Sequence, residues 1–428
     1  MTMRRIDHSA VGDSLWSAEL PNGLAVRVVP RPGFRKKCAM LAVNYGAAAL
    51  KYTLGGRTYE TPAGTAHFLE HKMFEQPDGN LLDRLTARGA YANAYTGAGM
   101  TAYHFECGQD FYENLELLLG SAFTTGFTDE SVERERGIIT QEILMYDDEP
   151  GFRLYRAAME ALFARHPIRE GVAGTVESIA AITADMLREV HGAFYVPSNM
   201  ALCVVGDVEP ERIEEIALRL TPGALAAHAV PDYGEPETVE IASARTSLRM
   251  DVSEPMFSCA AKLAVALPND ASVQRLSAAA RLVMKYVMGA SSEFYTALYA
   301  EGLLRSDFFA QAEPEADTLV FECGGSSSRP EEVYERLCEK LRECARDGFD
   351  AAELERLRRS IYGARLRALC DPEGLCSSLA VAAFGGFDYY DGFALGERVS
   401  ADDCVEFVRE RLRPERLALT VIEPLTAK

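Results

Sequence analysis

The chain has 428 residues, with 64 acidic against 44 basic side chains and a net charge of −20. That length predicts two cores of about 200 residues each, and the acidic balance excludes binding to a phosphate backbone, which needs clustered Lys and Arg, so nucleic acid is not an expected partner. The 10 cysteines are scattered with no C-x-x-C pair, and several, such as Cys203 and Cys259, sit in apolar runs; reduced, buried thiols and a cytoplasmic setting are the expectation.

The chain opens on Met1-Thr-Met-Arg-Arg-Ile-Asp-His-Ser, where two arginines are followed by no apolar run, so no secretory signal is expected there. No stretch reaches the roughly 18 apolar residues of a membrane span, and no membrane partner is expected. Residues 23–30 and 38–44 read as strands, short, β-branched and bounded by Gly or Pro.

Thr61-Pro62 then offers a capping residue followed by proline at the first helical position, which predicts a helix starting there and carrying His67-Phe-Leu-Glu70-His71. Residues four apart on a helix share a face, so His67 and His71 project together with Cβ atoms about 5–6 Å apart and can hold one metal ion. Glu70 lies beside that face, where a carboxylate reaches a metal-activated water without being a ligand. H-x-x-E-H is the inverse of the commoner H-E-x-x-H zinc-peptidase signature.

Asn80 to Leu85 predicts a short helix closed by Gly89, and 91–96 with 101–105 predict a hairpin around Gly97-Ala-Gly99. His104 and Cys107 make a poor ligand pair, because residues three apart on a strand face opposite sides.

A catalytic zinc usually takes three protein ligands, and the helix supplies two. The best source of a third is residues 128–146, a helix capped by Thr128, with Asp129 and Glu130 at its positive start and a buried stripe of Val132, Ile139, Ile143 and Tyr146. Glu135 and Glu142 are seven apart and so share a face, with Ile138, Ile139 and Ile143 expected around it. Burying carboxylates there is costly without a compensating cation. Glu142 as third ligand and Glu135 as a supporting acid behind the ligands remove the conflict.

Residues 153–165 and 183–194 predict helices backing the active face. The run Pro197-Ser-Asn-Met200-Ala-Leu to Glu209-Pro210 and the closing run Pro414-Glu-Arg-Leu417-Ala-Leu to Glu423-Pro424 have matching order, a faint repeat that suggests two homologous α+β halves. The expected division is 1–220, a Pro- and Gly-bearing linker at 221–237, and 238–428. The second half predicts strands 246–252, 258–267 and 317–324, helices 272–288, 291–301, 330–346 and 350–370, and a last helix before the closing strand. Gly324 to Ser328 reads as a turn, without the lysine or spacing of a phosphate loop.

These residues together resemble the M16 family of zinc peptidases, the pitrilysin and insulinase group. His67-Phe-Leu-Glu70-His71 is followed by Glu135-Arg-Gly-Ile-Ile-Thr-Gln-Glu142, with supporting stretches at Asn93-Ala-Tyr-Thr96, His166-Pro167, Gly174-Thr-Val-Glu177-Ser-Ile179 and Tyr195-Val-Pro197-Ser-Asn199. Half-length bacterial members of the processing-peptidase type are the most similar. The resemblance implies two α/β-sandwich halves, each a mixed sheet covered by helices, with only the first catalytic. It implies Zn²⁺ on His67, His71 and Glu142, Glu70 as general base, and Glu135 in support. It further implies a peptide substrate held as an added strand along Asn93, Ala94 and Tyr95. Such half-length members often stand beside a zinc-less paralogue, and a dimer, with a second copy or with such a paralogue, is expected because a second chain can supply groups that this chain's second half lacks. The chain departs from the family in its second half, where the family's arginine and later tyrosine meet Tyr299 and Arg305, reversed in order and one residue closer. Two other functions are open at this point: a non-catalytic scaffold subunit of a processing complex, and a dedicated maturation peptidase for one precursor or for elongation factor P modification.

Overall fold

The computed structural model describes residues 3–268 and 270–425. They form two compact units, neither contiguous in sequence. The first takes the chain up to Ile143, then Gly171–Tyr233 and Arg365–Tyr390; the second takes Leu144–Glu170, Gly234–Ala364 and the chain from Asp391 on.

The first unit is built on a 7-stranded mixed sheet in the order Arg4–His8, Asp13–Glu19, Ala25–Pro30, Met200–Gly206, Lys37–Val43, Thr101–Cys107, Tyr91–Thr96. Met200–Gly206 pairs parallel to Ala25–Pro30 and is buried along its whole length, as a central strand covered on both faces should be. The hairpin of Tyr91–Thr96 and Thr101–Cys107 forms as expected, with Thr96 opposite Thr101 and Asn93 opposite His104. Alternation along Thr101–Cys107 identifies the two covers. His104 faces Glu373 on the helix Pro372–Phe384, whereas Phe105 and Tyr103 point the other way, to Phe111 and to Phe74 and Tyr195.

The helix Pro372–Phe384 does not appear in the sequence reading. Its small and apolar residues are spread around the helix, so it lacks the 3.6-residue stripe that marks a helix with one apolar face.

The second unit carries a 5-stranded sheet in the order Arg245–Met250, Ala418–Pro424, Met256–Ala264, Thr318–Ser326, Phe309–Glu315. Its order and directions repeat the last five strands of the first sheet, with the parallel pair again formed by the first two of them. Each central strand enters from a short 3-10 turn, Pro197–Asn199 in one unit and Pro414–Arg416 in the other, which accounts for the matching prolines.

Several expectations change here. Residues 153–165 were expected behind the active face; the helix is Pro150–Leu162 and it packs on Ala418–Pro424 and Met256–Ala264 of the second unit. Gly324 to Ser328 is not a turn at its start: Gly324 and Gly325 lie inside a strand, where a Cβ on Gly324 would stand 2.3 Å from the Phe257 carbonyl oxygen. The strand Phe309–Glu315 and the helix Asp391–Arg398 also escape the sequence reading. Of the ten cysteines all are free thiols, and only Cys370 is exposed. No helix among the described residues is long and apolar enough to cross a membrane.

Candidate metal centre

The helix that carries the histidines starts later than Thr61-Pro62 predicts. Thr61 stays outside the helix, its N–H donating to the Leu50 carbonyl, and the helix runs Thr65–Met73 from a left-handed Gly64 with φ of 91°. Two glycines interlock at this start. A Cβ on Gly64 would meet the Ala173 carbonyl oxygen at 2.5 Å, and one on Gly174 would meet the Ala63 carbonyl oxygen at 2.4 Å. Ser178, whose side chain completes a capping box with Thr175, also donates to Ala63 at 2.8 Å. The Gly174-Thr-Val-Glu-Ser segment therefore clamps the helix start by close backbone approach, which only glycine permits.

The carboxylate helix is Asp129–Asp148, and Thr128 caps it as expected, its hydroxyl accepting from Ser131 N–H at 3.1 Å. Val132, Ile139 and Ile143 are buried, but Ile138 is 53% exposed, so the acids are flanked by isoleucines on one side only. Residue 138 is turned about 100° from 139, which leaves Glu135 and Glu142 half-buried and open toward the histidines.

The four side chains and their supporting acid converge. His67 Nε2 lies 3.6 Å from Glu142 Oε1, and His71 Nε2 lies 3.4 Å from Glu142 Oε2. The two imidazole centroids are 4.7 Å apart. On the far side of His71, Nδ1 is 2.9 Å from Glu135 Oε1. His67 Nδ1 is buried and has no hydrogen-bond partner among the described residues. Glu70, 7% exposed, accepts from the Thr96 hydroxyl at 2.6 Å.

The electrostatics follow from this packing. Burial, with His71 close by, pushes His67 down to about 4, so the ring is neutral and one nitrogen keeps its lone pair available. Burial also opposes charge on His71, but hydrogen bonds to Glu135 and Glu142 outweigh it and raise His71 to about 9. A cation at the centre must displace that proton. The bond from His71 holds Glu135 below the ordinary carboxylate range despite its partial burial. Burial raises Glu70 above that range, against the pull of the Thr96 hydroxyl.

The donor set fits zinc. Donors on one tetrahedral Zn²⁺ with bonds of about 2.0–2.2 Å stand about 3.3–3.5 Å apart, close to the two contacts of Glu142. Among the described residues, His67, His71 and Glu142 are the one group of three or more potential ligands whose donor atoms all lie within 4.8 Å of one another. An imidazole whose second nitrogen meets a carboxylate, as His71 meets Glu135, is the usual support for a zinc ligand. His104 and Cys107 stay apart from any such group; His104 Nε2 is 3.4 Å from Glu373.

Asn93, Ala94 and Tyr95 lie on the strand at the open end of the seven-strand order, next to Thr96. The alternation that sends Thr96 to Glu70 sends Tyr95 to the opposite face, where its hydroxyl meets Ser377 at 2.8 Å. Only its backbone can serve the metal side. The Ala94 N–H donates to the Asn93 side chain at 2.9 Å and not to the neighbouring strand. In the second unit, Arg305 is held by both oxygens of Glu254 at 3.2 and 3.1 Å, and Tyr299, 52% exposed, stacks on Tyr295.

Sequence reading missed the partner of Glu70. Thr96 was visible in the hairpin, but its role depends on which face the strand turns to the helix. It also missed Lys72 and Ser131, which join the two helices; a lysine next to a histidine motif carries no sign of burial.

Comparison with known proteins gives the same family from several directions. The family model described as Insulinase (Peptidase family M16) matches residues 48–176, and that described as Peptidase M16 inactive domain matches 181–361. The chain is 31% identical over 427 residues to the uncharacterized zinc protease YmfH of Bacillus subtilis (strain 168), covering 99% of each chain. An M16-like peptidase structure from Alicyclobacillus acidocaldarius matches with a TM-score of 0.92 at 29% identity, over 96% of this chain and 98% of that one. Pitrilysin matches in fold, with a TM-score of 0.77 at 18% identity, over 99% of this chain and 46% of its own. With a full-length relative at this identity, the chain belongs to peptidase family M16.

Proposed function

We propose that this protein is a zinc-dependent endopeptidase acting on peptides or unfolded segments, with His67, His71 and Glu142 as ligands, Glu70 as general base and Glu135 in support. The observation that carries this reading is the approach of the Glu142 carboxylate to both imidazoles, 3.6 and 3.4 Å, with Glu70 buried alongside. When bound, zinc supplies Lewis acidity to the scissile carbonyl and acidifies the attacking water. Glu70 takes the proton of that water and hands it to the leaving amine nitrogen. Its burial favours the proton-accepting step, since the raised carboxyl holds a proton more readily once it has one. Glu135 fixes the imidazole of His71 so that Nε2 faces the metal position.

A peptide adds as a strand along Asn93, Ala94 and Tyr95, through main-chain hydrogen bonds that ignore side-chain identity. The Asn93 side chain, which covers the Ala94 N–H, swings aside to admit it. Ten free thiols favour a reducing, cytoplasmic setting. Arg305 is occupied by Glu254 and Tyr299 stands in the reversed position, so a partner subunit, a second copy or a zinc-less paralogue, supplies the remaining substrate contacts.

The test is paired: zinc content of the purified protein, and peptide cleavage by the protein and by Glu70→Gln. Bound zinc at one equivalent, cleavage by the parent and loss of cleavage in a zinc-loaded Glu70→Gln support the reading. Cleavage that survives in Glu70→Gln rejects the base, and a protein that takes up no zinc rejects the whole proposal.

A further inference from the structure

The helix that carries the histidines also buries a lysine that the chemistry above does not use. Lys72 follows His71 directly and is 0% exposed. Its Nζ bonds to a Glu75 carboxylate oxygen and to Ser131 Oγ, the latter at 3.0 Å. Taking a charged amine out of water is expensive, and an apolar side chain of the same length commonly serves stability as well or better. Stability alone does not account for a lysine here.

Its geometry does. Ser131 stands in the first turn of the helix Asp129–Asp148, and its hydroxyl is pinned three ways: it accepts from Lys72, accepts from the Thr128 N–H at 3.1 Å and donates to the Thr128 carbonyl at 3.1 Å. Glu75 reaches onward to Arg134, 3.9 Å away on the same helix. Residues 131, 135 and 142 share one helical face, at steps of four and seven. Holding Ser131 therefore fixes both the rotation and the axial position of the face that presents Glu135 and Glu142. His71, one residue before Lys72, is the side chain both acids meet.

We infer that Lys72 is a positioning residue: with Glu75 and Ser131 it latches the carboxylate helix to the histidine helix, in the register that brings Glu135 behind His71 and Glu142 against both imidazoles. The inference rests on the zinc reading above and adds to it a residue that touches neither metal nor substrate.

The experiment uses the whole chain with Lys72→Met, which keeps side-chain length and removes the polar group. Zinc affinity is measured on metal-free protein by competition with a chromophoric chelator, and amide hydrogen exchange is measured on the same metal-free protein. Zinc Kd should rise about 10–100-fold, the usual effect of loosening a ligand's support. Exchange should quicken across residues 129–143 and stay unchanged in Met200–Gly206. Ser131→Ala should move both readouts the same way by less, and it carries the test if Lys72→Met does not fold. A Kd within about twofold of the parent, with unaltered exchange over 129–143, overturns the latch. If the parent itself binds no zinc, the peptidase reading fails separately, and the exchange comparison alone decides whether Lys72 holds the two helices together.

Discussion

The Thr96 hydroxyl donates to Glu70 Oε2 at 2.6 Å, across from the strand at the open edge of the sheet to the helix that carries the histidines. This hydrogen bond orients the carboxylate and offsets part of the rise that burial imposes on its pKa. Thr96→Val keeps the shape and removes the donor, so kcat/KM should fall about 10–100-fold, the worth of one hydrogen bond to a charged group. Zinc content should not change, and Thr96→Ser should restore most of the rate. Steady-state kinetics on the two variants check this; equal rates for Thr96→Val and the parent would remove Thr96 from the mechanism.

Glu142 and Glu135 sit seven residues apart on one helix face but differ in what they touch, and the difference predicts two sizes of effect. Glu142→Ala removes the one oxygen donor among three potential ligands and should leave the protein without stoichiometric zinc after dialysis. Glu135→Gln keeps a hydrogen-bond acceptor on His71 and should weaken zinc by about tenfold, at the low end of effects on supporting residues. Atomic absorption and chelator competition distinguish the two. Equal zinc loss in both variants would contradict the assignment of ligand and support.

The edge strand separates backbone from side-chain effects. Ala94→Pro deletes the N–H that bonds only to Asn93, and should lower kcat/KM about tenfold or more by removing one main-chain bond to an added strand. Tyr95→Phe loses a hydroxyl that meets Ser377 on the opposite face and should leave cleavage near the parent level. Kinetics on one peptide with both variants gives the answer; a large loss in Tyr95→Phe with little in Ala94→Pro would refute backbone recognition.

The second unit holds a half-buried carboxylate, Glu237, whose ionisation is linked to stability. Burial disfavours the charge on Glu237, but backbone N–H groups of Arg165, His166 and Ala164, together with Lys262, outweigh it and bring the carboxyl from the usual 4.5 to about 2. A depressed folded pKa stabilises the ionised form, so the contribution is fully present above about pH 4.5 and fades as pH falls toward 2. With solvent still screening the carboxylate, the linkage is worth about 1–2 kcal/mol at neutral pH. Glu237→Gln should therefore lower the melting temperature at pH 7, with the gap closing between pH 4.5 and 2. Calorimetry across that range tests it, and a gap independent of pH would exclude the ionic origin.

How far these features were legible differs from residue to residue. His67, Glu70 and His71 could be read directly, because a fixed spacing on one helix is local geometry. Glu142 could be read at long range only because burying two acids beside isoleucines demanded a cation, and even there Ile138 turned outward. The helix start was not legible: Thr61-Pro62 has the local chemistry of a cap, but the left-handed Gly64 held against Ala173 decides where the turn begins. Pro372–Phe384 left no periodic signal because its small and apolar residues are spread around the helix, with Val381 exposed opposite buried Leu375 and Leu379.

By itself the sequence determined the chemistry available to this protein: two imidazoles and a carboxylate in helical register, a pair of acids on one face of a second helix, and two halves ending on matching strands. These follow from spacings of a few residues, which the backbone fixes without help. Only the tertiary structure decided that Thr96 meets Glu70, that Tyr95 turns away from it, that Lys72 is buried against Ser131, and that the segments 144–170 and 365–390 pack in the units they do. Each of these depends on which face an element turns toward a partner distant in sequence. That choice is made by the packing of the whole unit and by no residue pattern within the element.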